Sequence, residues 1–221
     1  MIDNLLSVVA PHHCCGCDKI GCLLCDNCKN NIISEIKPVC LSCCRPTDGI
    51  WLCADCRVSY ARAWAVSERS GVLQRLIGDY KFQRMKSAYK ILGDLLLAVL
   101  PDMPENVIIV PVPTAASHIR ERGYDHMLLI ARYVARCRGL HCQRLLRRVT
   151  DTKQRQAGAR QRQAQASQAF MVDGAIDSGK IYLLLDDVVT TGATITYASR
   201  SLVRAGAKNV WVAVIARQMP R

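Results

Sequence analysis

The 221-residue chain has no long apolar run, few acidic residues and no recognisable export signal. No hydrophobic stretch approaches the ~18 residues that cross a bilayer, which argues against a membrane span. The first residues carry Asp3 and no basic cluster, so they do not read as a secretory leader, and the cytoplasm is the expected compartment. Asp and Glu number 18 against 30 Lys and Arg, a formal net charge of +12. That imbalance points to an anionic partner or ligand. Hydrophobic residues make up 50% of the chain, enough for a substantial core in one large domain or in a medium domain with a small module.

Charge and cysteine are unevenly spread. Residues 1–58 hold five Lys/Arg and six Asp/Glu, whereas residues 59–221 hold 25 and 12. Eleven of the thirteen cysteines precede residue 57. The expected division is therefore a cysteine-rich module at residues 1–60 and a second domain at residues 61–221.

Four Cys-x-x-Cys pairs lie in the module: Cys14/Cys17, Cys25/Cys28, Cys40/Cys43 and Cys53/Cys56. Each such turn aims two thiolates at one point, and two turns complete an S₄ site. The set provides ligands for two structural zinc ions, with the pairs combined either in order or interleaved. Iron–sulfur ligation uses the same donors, and a disulfide framework needs an oxidising compartment for which no export signal speaks. Cys22 with Cys25 is a competing pair in which Cys22 replaces Cys28, and His12 and His13 are further donors. Ile32, Ile33 and Ile36 mark one face of a short helix ended by Pro38. So little apolar surface makes metal coordination the module's expected source of folding free energy.

From residue 63 the pattern turns α/β. Strands are expected at 64–67, 107–110, 170–172, 181–185 and 210–216, and helices at 70–79, 89–100, 124–138 and 195–205. Tyr80-Lys81-Phe82 falls at the turn after the first of these helices. Pro111, Val112 and Pro113 form a stiff extended loop at the carboxyl end of a strand, where parallel sheets bind ligands. Between Arg120 and Arg162 stand twelve Lys/Arg and three Asp/Glu. Residues 154–168, almost all Gln, Ala and Arg, read as an exposed or mobile helix. The aromatics near this basic stretch are Tyr124 and Tyr133, which argues against sequence-specific base reading.

The densest chemistry lies at residues 180–194, Lys-Ile-Tyr-Leu-Leu-Leu-Asp-Asp-Val-Val-Thr-Thr-Gly-Ala-Thr. An apolar run of the kind buried on both faces leads to Asp186 and Asp187. Next come Thr190, Thr191, Gly192, Ala193 and Thr194, a small hydroxyl-rich loop opening a helix that Gly206 closes. A helix start offers unpaired N–H groups and positive dipole to a phosphate, and Gly192 permits close backbone approach. The carboxylates repel phosphate and suit vicinal hydroxyls or a magnesium ion instead. A sugar phosphate satisfies both halves. No Gly-Lys-Ser/Thr follows the strand, which excludes a Walker loop.

Residues 183–194 resemble the phosphoribosyl-pyrophosphate (PRPP) motif of type I phosphoribosyltransferases. The resemblance implies that Asp186 and Asp187 face the ribose 2′- and 3′-hydroxyls and that residues 190–194 wrap the 5′-phosphate. Nearly the whole chain resembles the ComF/GntX family. That resemblance rests on the four cysteine pairs, Tyr80-Lys81-Phe82, Val110 to Pro113, Arg120-x-Arg-Gly-Tyr124, Gln154 with Arg160 and Phe170, and the acidic pair. The implied fold is a phosphoribosyltransferase type I-like open parallel sheet behind an N-terminal zinc module. The chain departs from the family pattern at Asp125-His126, where Asn-Gln is usual, and at Gln165, where Asn is customary; both bear on the pyrophosphate side.

In such a site Pro111 and Val112 would hold backbone near pyrophosphate, and Arg120 and Arg122 would clamp its oxygens with their guanidinium forks. Lys81 would reach the same anion, and His126 is expected on a helix surface. Catalysis would rest on Asp186, Asp187 and Arg122 through positioning and charge stabilisation. No acceptor-recognition segment is legible. Two functions follow. One is a PRPP- or nucleotide-binding, Mg-dependent protein of DNA uptake in natural transformation, binding single-stranded DNA beside competence-machinery proteins. The other is a transferase moving phosphoribose from PRPP to a nitrogen acceptor.

Overall fold

The structure, a computed structural model, describes residues 12–34, 37–83, 85–149 and 169–220. The expectations placed on the first residues, on Ile36, Gln154, Arg160 and Gln165, and on the helix at 154–168 lie outside the described residues.

The elements run α1 (Asp26–Ser34), β1 (Arg62–Glu68), α2 (Gly71–Phe82), α3 (Ala88–Val99), β2 (Val107–Pro111), α4 (Ala116–Arg122) and α5 (His126–Arg138). They continue β3 (His141–Cys142), β4 (Leu146–Arg148), β5 (Phe170–Val172), β6 (Ile181–Val189), α6 (Ala193–Arg204) and β7 (Asn209–Arg217). Five strands form one parallel sheet in the order β1-β7-β6-β2-β3. This is the open parallel α/β architecture expected from the continuous apolar runs, which suit strands covered on both faces.

Alternation along the strands divides the core in two. Trp64, Val66, Ile109, Leu183, Leu185, Ala213 and Ile215 face α2, α3 and α5. Ala63, Ala65, Val110, Tyr182, Leu184, Val212 and Val214 face the other way, toward α6. Each half of the cysteine-rich module joins one of these layers: Cys14, Leu23, Leu24 and Ile32 pack into the first, and Val39, Leu41 and Trp51 into the second.

Three local outcomes differ from expectation. Phe170–Val172 does not extend the main sheet but pairs antiparallel with β4, a strand with no clear sequence signal. Pro111 lies inside β2, opposite Leu185, with its missing N–H on the side where the two-residue β3 has already ended. Residues 116–122, to which the sequence assigns no element, form a short helix closed by Gly123 in the left-handed region at φ 82°. Asp125 then accepts the Leu128 N–H as N-cap, at 3.2 Å, so α5 begins at His126 rather than Tyr124.

Candidate functional site

The acidic pair sits within β6, not beyond its end. Pairing with β7 continues through Asp186↔Val214 and Val189↔Arg217, whereas pairing with β2 stops at Pro111↔Leu185 and the 2.9 Å bond from the Val112 N–H to the Leu185 carbonyl. Past that point β2 leaves the sheet as Pro113, and Asp186 and Asp187 face the gap. The gap is a cavity of about 370 Å³ lined by both aspartates, Lys81, Phe82, Val112, Arg122, His126, Arg148 and Thr194, among others.

Hydrogen-bond donors fixed by the fold surround Asp187. Lys81 Nζ lies 2.5 Å from its Oδ2, and His126 Nε2 approaches the same oxygen at 2.5 Å. Arg122 Nη1 is 3.0 Å from His126 Nδ1. A guanidinium has no lone pair to offer, so Nδ1 must accept, and the histidine proton sits on Nε2 and points at Asp187. Burial opposes ionisation of Asp187, but the His126 hydrogen bond and the Lys81 charge overcome it and hold the carboxyl below its usual range. Asp186 takes the opposite course. Burial, then the neighbouring Asp187 charge, pushes it up to about 7. Two adjacent buried carboxyls thus divide into one firmly ionised and one poised near neutrality.

Aromatic contacts fix this arrangement. The Tyr80 hydroxyl donates to the His126 carbonyl at 2.7 Å, and the Tyr124 hydroxyl donates to the Tyr80 carbonyl. The last turn of α2 is therefore tied to the first turn of α5, which places Lys81 over the acidic pair.

Beyond β6, Gly192 adopts φ 77° as the N-cap of α6, a conformation that requires glycine. Thr190, Thr191 and Ala193 are exposed and Thr194 lines the cavity. Arg217 supports this loop from behind. It is buried and donates to the carbonyls of Val189 (3.0 Å), Thr190 and Gln218 (2.8 Å), while its Nη2 lies 2.8 Å from Cys44 Sγ.

The structure therefore brings Lys81, Val112, Arg122, Asp186, Asp187 and Thr194 together, with Pro111 buried just behind them. Arg120 stands apart, exposed on α4 and outside the cavity lining. His126, expected on a helix surface, is buried against Asp187; its position four residues after Arg122 was the available signal. Arg148 and Arg217 gave none, because β4 and the far end of β7 find the site only through tertiary pairing.

The eight cysteines assemble in order, as Cys14, Cys17, Cys25 and Cys28 and as Cys40, Cys43, Cys53 and Cys56. Within each group the sulfurs lie within 4.8 Å of one another. Cys17–Cys25 and Cys43–Cys53 are 3.6 and 3.7 Å apart, near the ~3.8 Å edge of a tetrahedron with 2.3 Å Zn–S bonds. The donors fit one zinc ion per group, and Cys22 is in neither. The two groups repeat one knuckle: Asp18 N–H bonds to the Cys14 carbonyl and Cys44 N–H to the Cys40 carbonyl, with Asp18 and Cys44 both at positive φ.

No family model matches the chain. The DNA utilization protein YhgH of Shigella flexneri is 30% identical over 172 residues, 72% of this chain and 74% of that protein. The competence protein ComFC of Bacillus subtilis is 25% identical over 201 residues, 83% of this chain and 79% of that protein. A solved structure of the allosteric regulatory enzyme of purine biosynthesis aligns with 58% of this chain and 25% of its own, at 21% identity and TM-score 0.43. No described helix is long and apolar enough to cross a membrane. With its paired four-cysteine groups ahead of a parallel sheet, and relatives matched over most of their length, the chain belongs to the ComF/GntX family, as the YhgH and ComFC proteins do.

Proposed function

We propose that this protein binds PRPP, or a closely similar ribose phosphate, with magnesium in the cavity above β6, and that it handles single-stranded DNA during uptake. The observation that carries the first part is the split acidic pair beside the Gly192 helix start. Asp186 and Asp187 suit the ribose hydroxyls, and residues 190–194 suit the 5′-phosphate. Lys81 and Arg122 line the same cavity and supply the positive charge a pyrophosphate would need. Magnesium fits the same donors. Among the described residues the Asp186 side chain accepts the Asp187 N–H at 2.9 Å, which leaves carboxylate oxygen free for a ligand, and a hard cation shared with phosphate oxygens would relieve its raised pKa. When bound, the ion would neutralise charge on the departing pyrophosphate.

The DNA part is supported by the relatives named for DNA utilization and competence. The excess of Lys and Arg after residue 58 supports it too. Partner proteins of the uptake machinery and a cytoplasmic setting belong to the same reading; the PRPP reading keeps Arg120 as a pyrophosphate ligand, and the division near residue 60 separates the zinc module from the domain that binds PRPP. Labelled single-stranded DNA titrated at several salt concentrations tests it. Affinity should fall steeply with salt, and salt-independent or absent binding would refute it. The same samples, incubated with PRPP, Mg²⁺ and a pool of bases and amines, then weighed by mass spectrometry, address the transferase reading. A new phosphoribosylated mass, lost in Asp187→Asn, would establish turnover with Arg122 and the acidic pair as its machinery.

A further inference from the structure

Phe82 is unusually placed. At 65% exposed it is the most exposed large hydrophobic side chain among the described residues, yet it stands at the wall of a highly charged cavity. The two residues before it in the chain are fixed. Tyr80, two positions earlier, is buried and hydrogen-bonded to the α5 backbone, and Lys81 is paired with Asp187 at 2.5 Å. Phe82 therefore holds a set position relative to the acidic pair. The guanidinium of Arg122 lies 5.7 Å from its ring centroid. Arg122 is itself buried, and its Nε has no hydrogen-bond partner among the described residues. With the guanidinium on one face and most of the ring in solvent, the phenyl offers its remaining surface to the cavity.

A phosphate makes no use of such a surface. A phenyl ring, Pro113 and Ala115 line the same cavity as the aspartates, and this mixture of charge and apolar surface suits a ligand with both characters. We propose that Phe82, with Arg122, forms one wall of a subsite for a nucleobase joined to, or brought beside, a ribose held at Asp186 and Asp187. Aromatic stacking tolerates any base because every base has a π-face, and the guanidinium adds a cation–π contribution. The subsite rests on the sugar-phosphate reading above and assigns the acceptor side that the sequence left blank.

The test compares ribose 5-phosphate with ribonucleoside 5′-monophosphates, by calorimetry on the full zinc-loaded chain. Stacking predicts that the nucleotides bind on the order of tenfold tighter than ribose 5-phosphate. Phe82→Ala should collapse that ratio toward one, and Phe82→Trp should keep or enlarge it. An exposed side chain at a helix end can be truncated without unfolding the protein, and continued ribose 5-phosphate binding would verify that. If ribose 5-phosphate binds but the nucleotides bind no better, the base subsite alone is wrong. The same holds if the advantage survives Phe82→Ala. If ribose 5-phosphate does not bind the wild type at all, the subsite and the reading beneath it both fall.

Discussion

Replacing Asp186 by Asn should stabilise the unliganded protein while removing a ligand-binding group. The carboxyl is buried next to an ionised Asp187, and its folded-state pKa is raised to about 7. An unfolded Asp titrates near ~3.9. The native state therefore keeps this proton over a range in which the unfolded chain has released it. Because the folded state binds more protons there, stability falls as pH rises from about 4 to about 7 and stays lower above that. About three pKa units at 1.36 kcal/mol each set a ceiling of roughly 4 kcal/mol. The Asn side-chain oxygen still accepts the Asp187 N–H, a 2.9 Å bond in the native protein, so the substitution leaves the local backbone intact. A gain of roughly 1–4 kcal/mol at pH 8 is expected, each kcal/mol raising Tm by about 2–4 °C in a chain of this size. Thermal melts of both proteins in magnesium-free buffer from pH 4 to 8 measure it. The two should nearly coincide at pH 4 and diverge upward. A variant that is less stable at pH 8, or a gap independent of pH, would refute the reasoning.

Metal content should be two zinc ions per chain by plasma mass spectrometry, with one lost in Cys17→Ser and one in Cys43→Ser, since each belongs to a separate four-cysteine group. Only the second group neighbours the phosphate loop, through Cys44 and Arg217, so Cys43→Ser should weaken PRPP binding more than Cys17→Ser does. Arg217→Met removes the contacts to the Val189 and Thr190 carbonyls behind the loop, with that to Gln218, and should weaken PRPP binding about tenfold or more, one lost charge-assisted bond being worth about 1.5–3 kcal/mol; titration of the variant checks this. Gly93→Ala should destabilise the fold by roughly 1–3 kcal/mol, because a Cβ there would lie 2.3 Å from the Tyr133 ring on α5; a denaturant midpoint unchanged from wild type would contradict it.

What could be read in the sequence was local. Cysteine spacing identified the four turns and their capacity for two zinc ions because each knuckle closes within a few residues, while the combination of turns came only from the fold; the leucine run identified β6 because a strand covered on both faces is apolar throughout. The path of β6 past its aspartates was hidden, because it depends on β7 staying paired after β2 has turned away at Pro113. His126 looked like a surface residue because its partner, Asp187, is 61 positions further along. Arg122 was legible as a phosphate ligand but not as a buried residue, because the short helix that buries it is closed by Gly123 and marked by no apolar stripe. Phe82 was noticed only as part of a motif; its exposure at a charged cavity is a property of packing.

Calorimetric titration of PRPP with Mg²⁺ into the zinc-loaded chain, beside Asp187→Asn, tests the central claim most directly. Asp187 anchors Lys81 and His126 as well as facing the cavity, so its neutralisation disturbs both sides of the site at once. Saturable binding of one PRPP per chain, abolished or weakened at least tenfold in the variant, is the predicted result. No heat of binding at millimolar PRPP, or equal affinity in both proteins, would contradict the account.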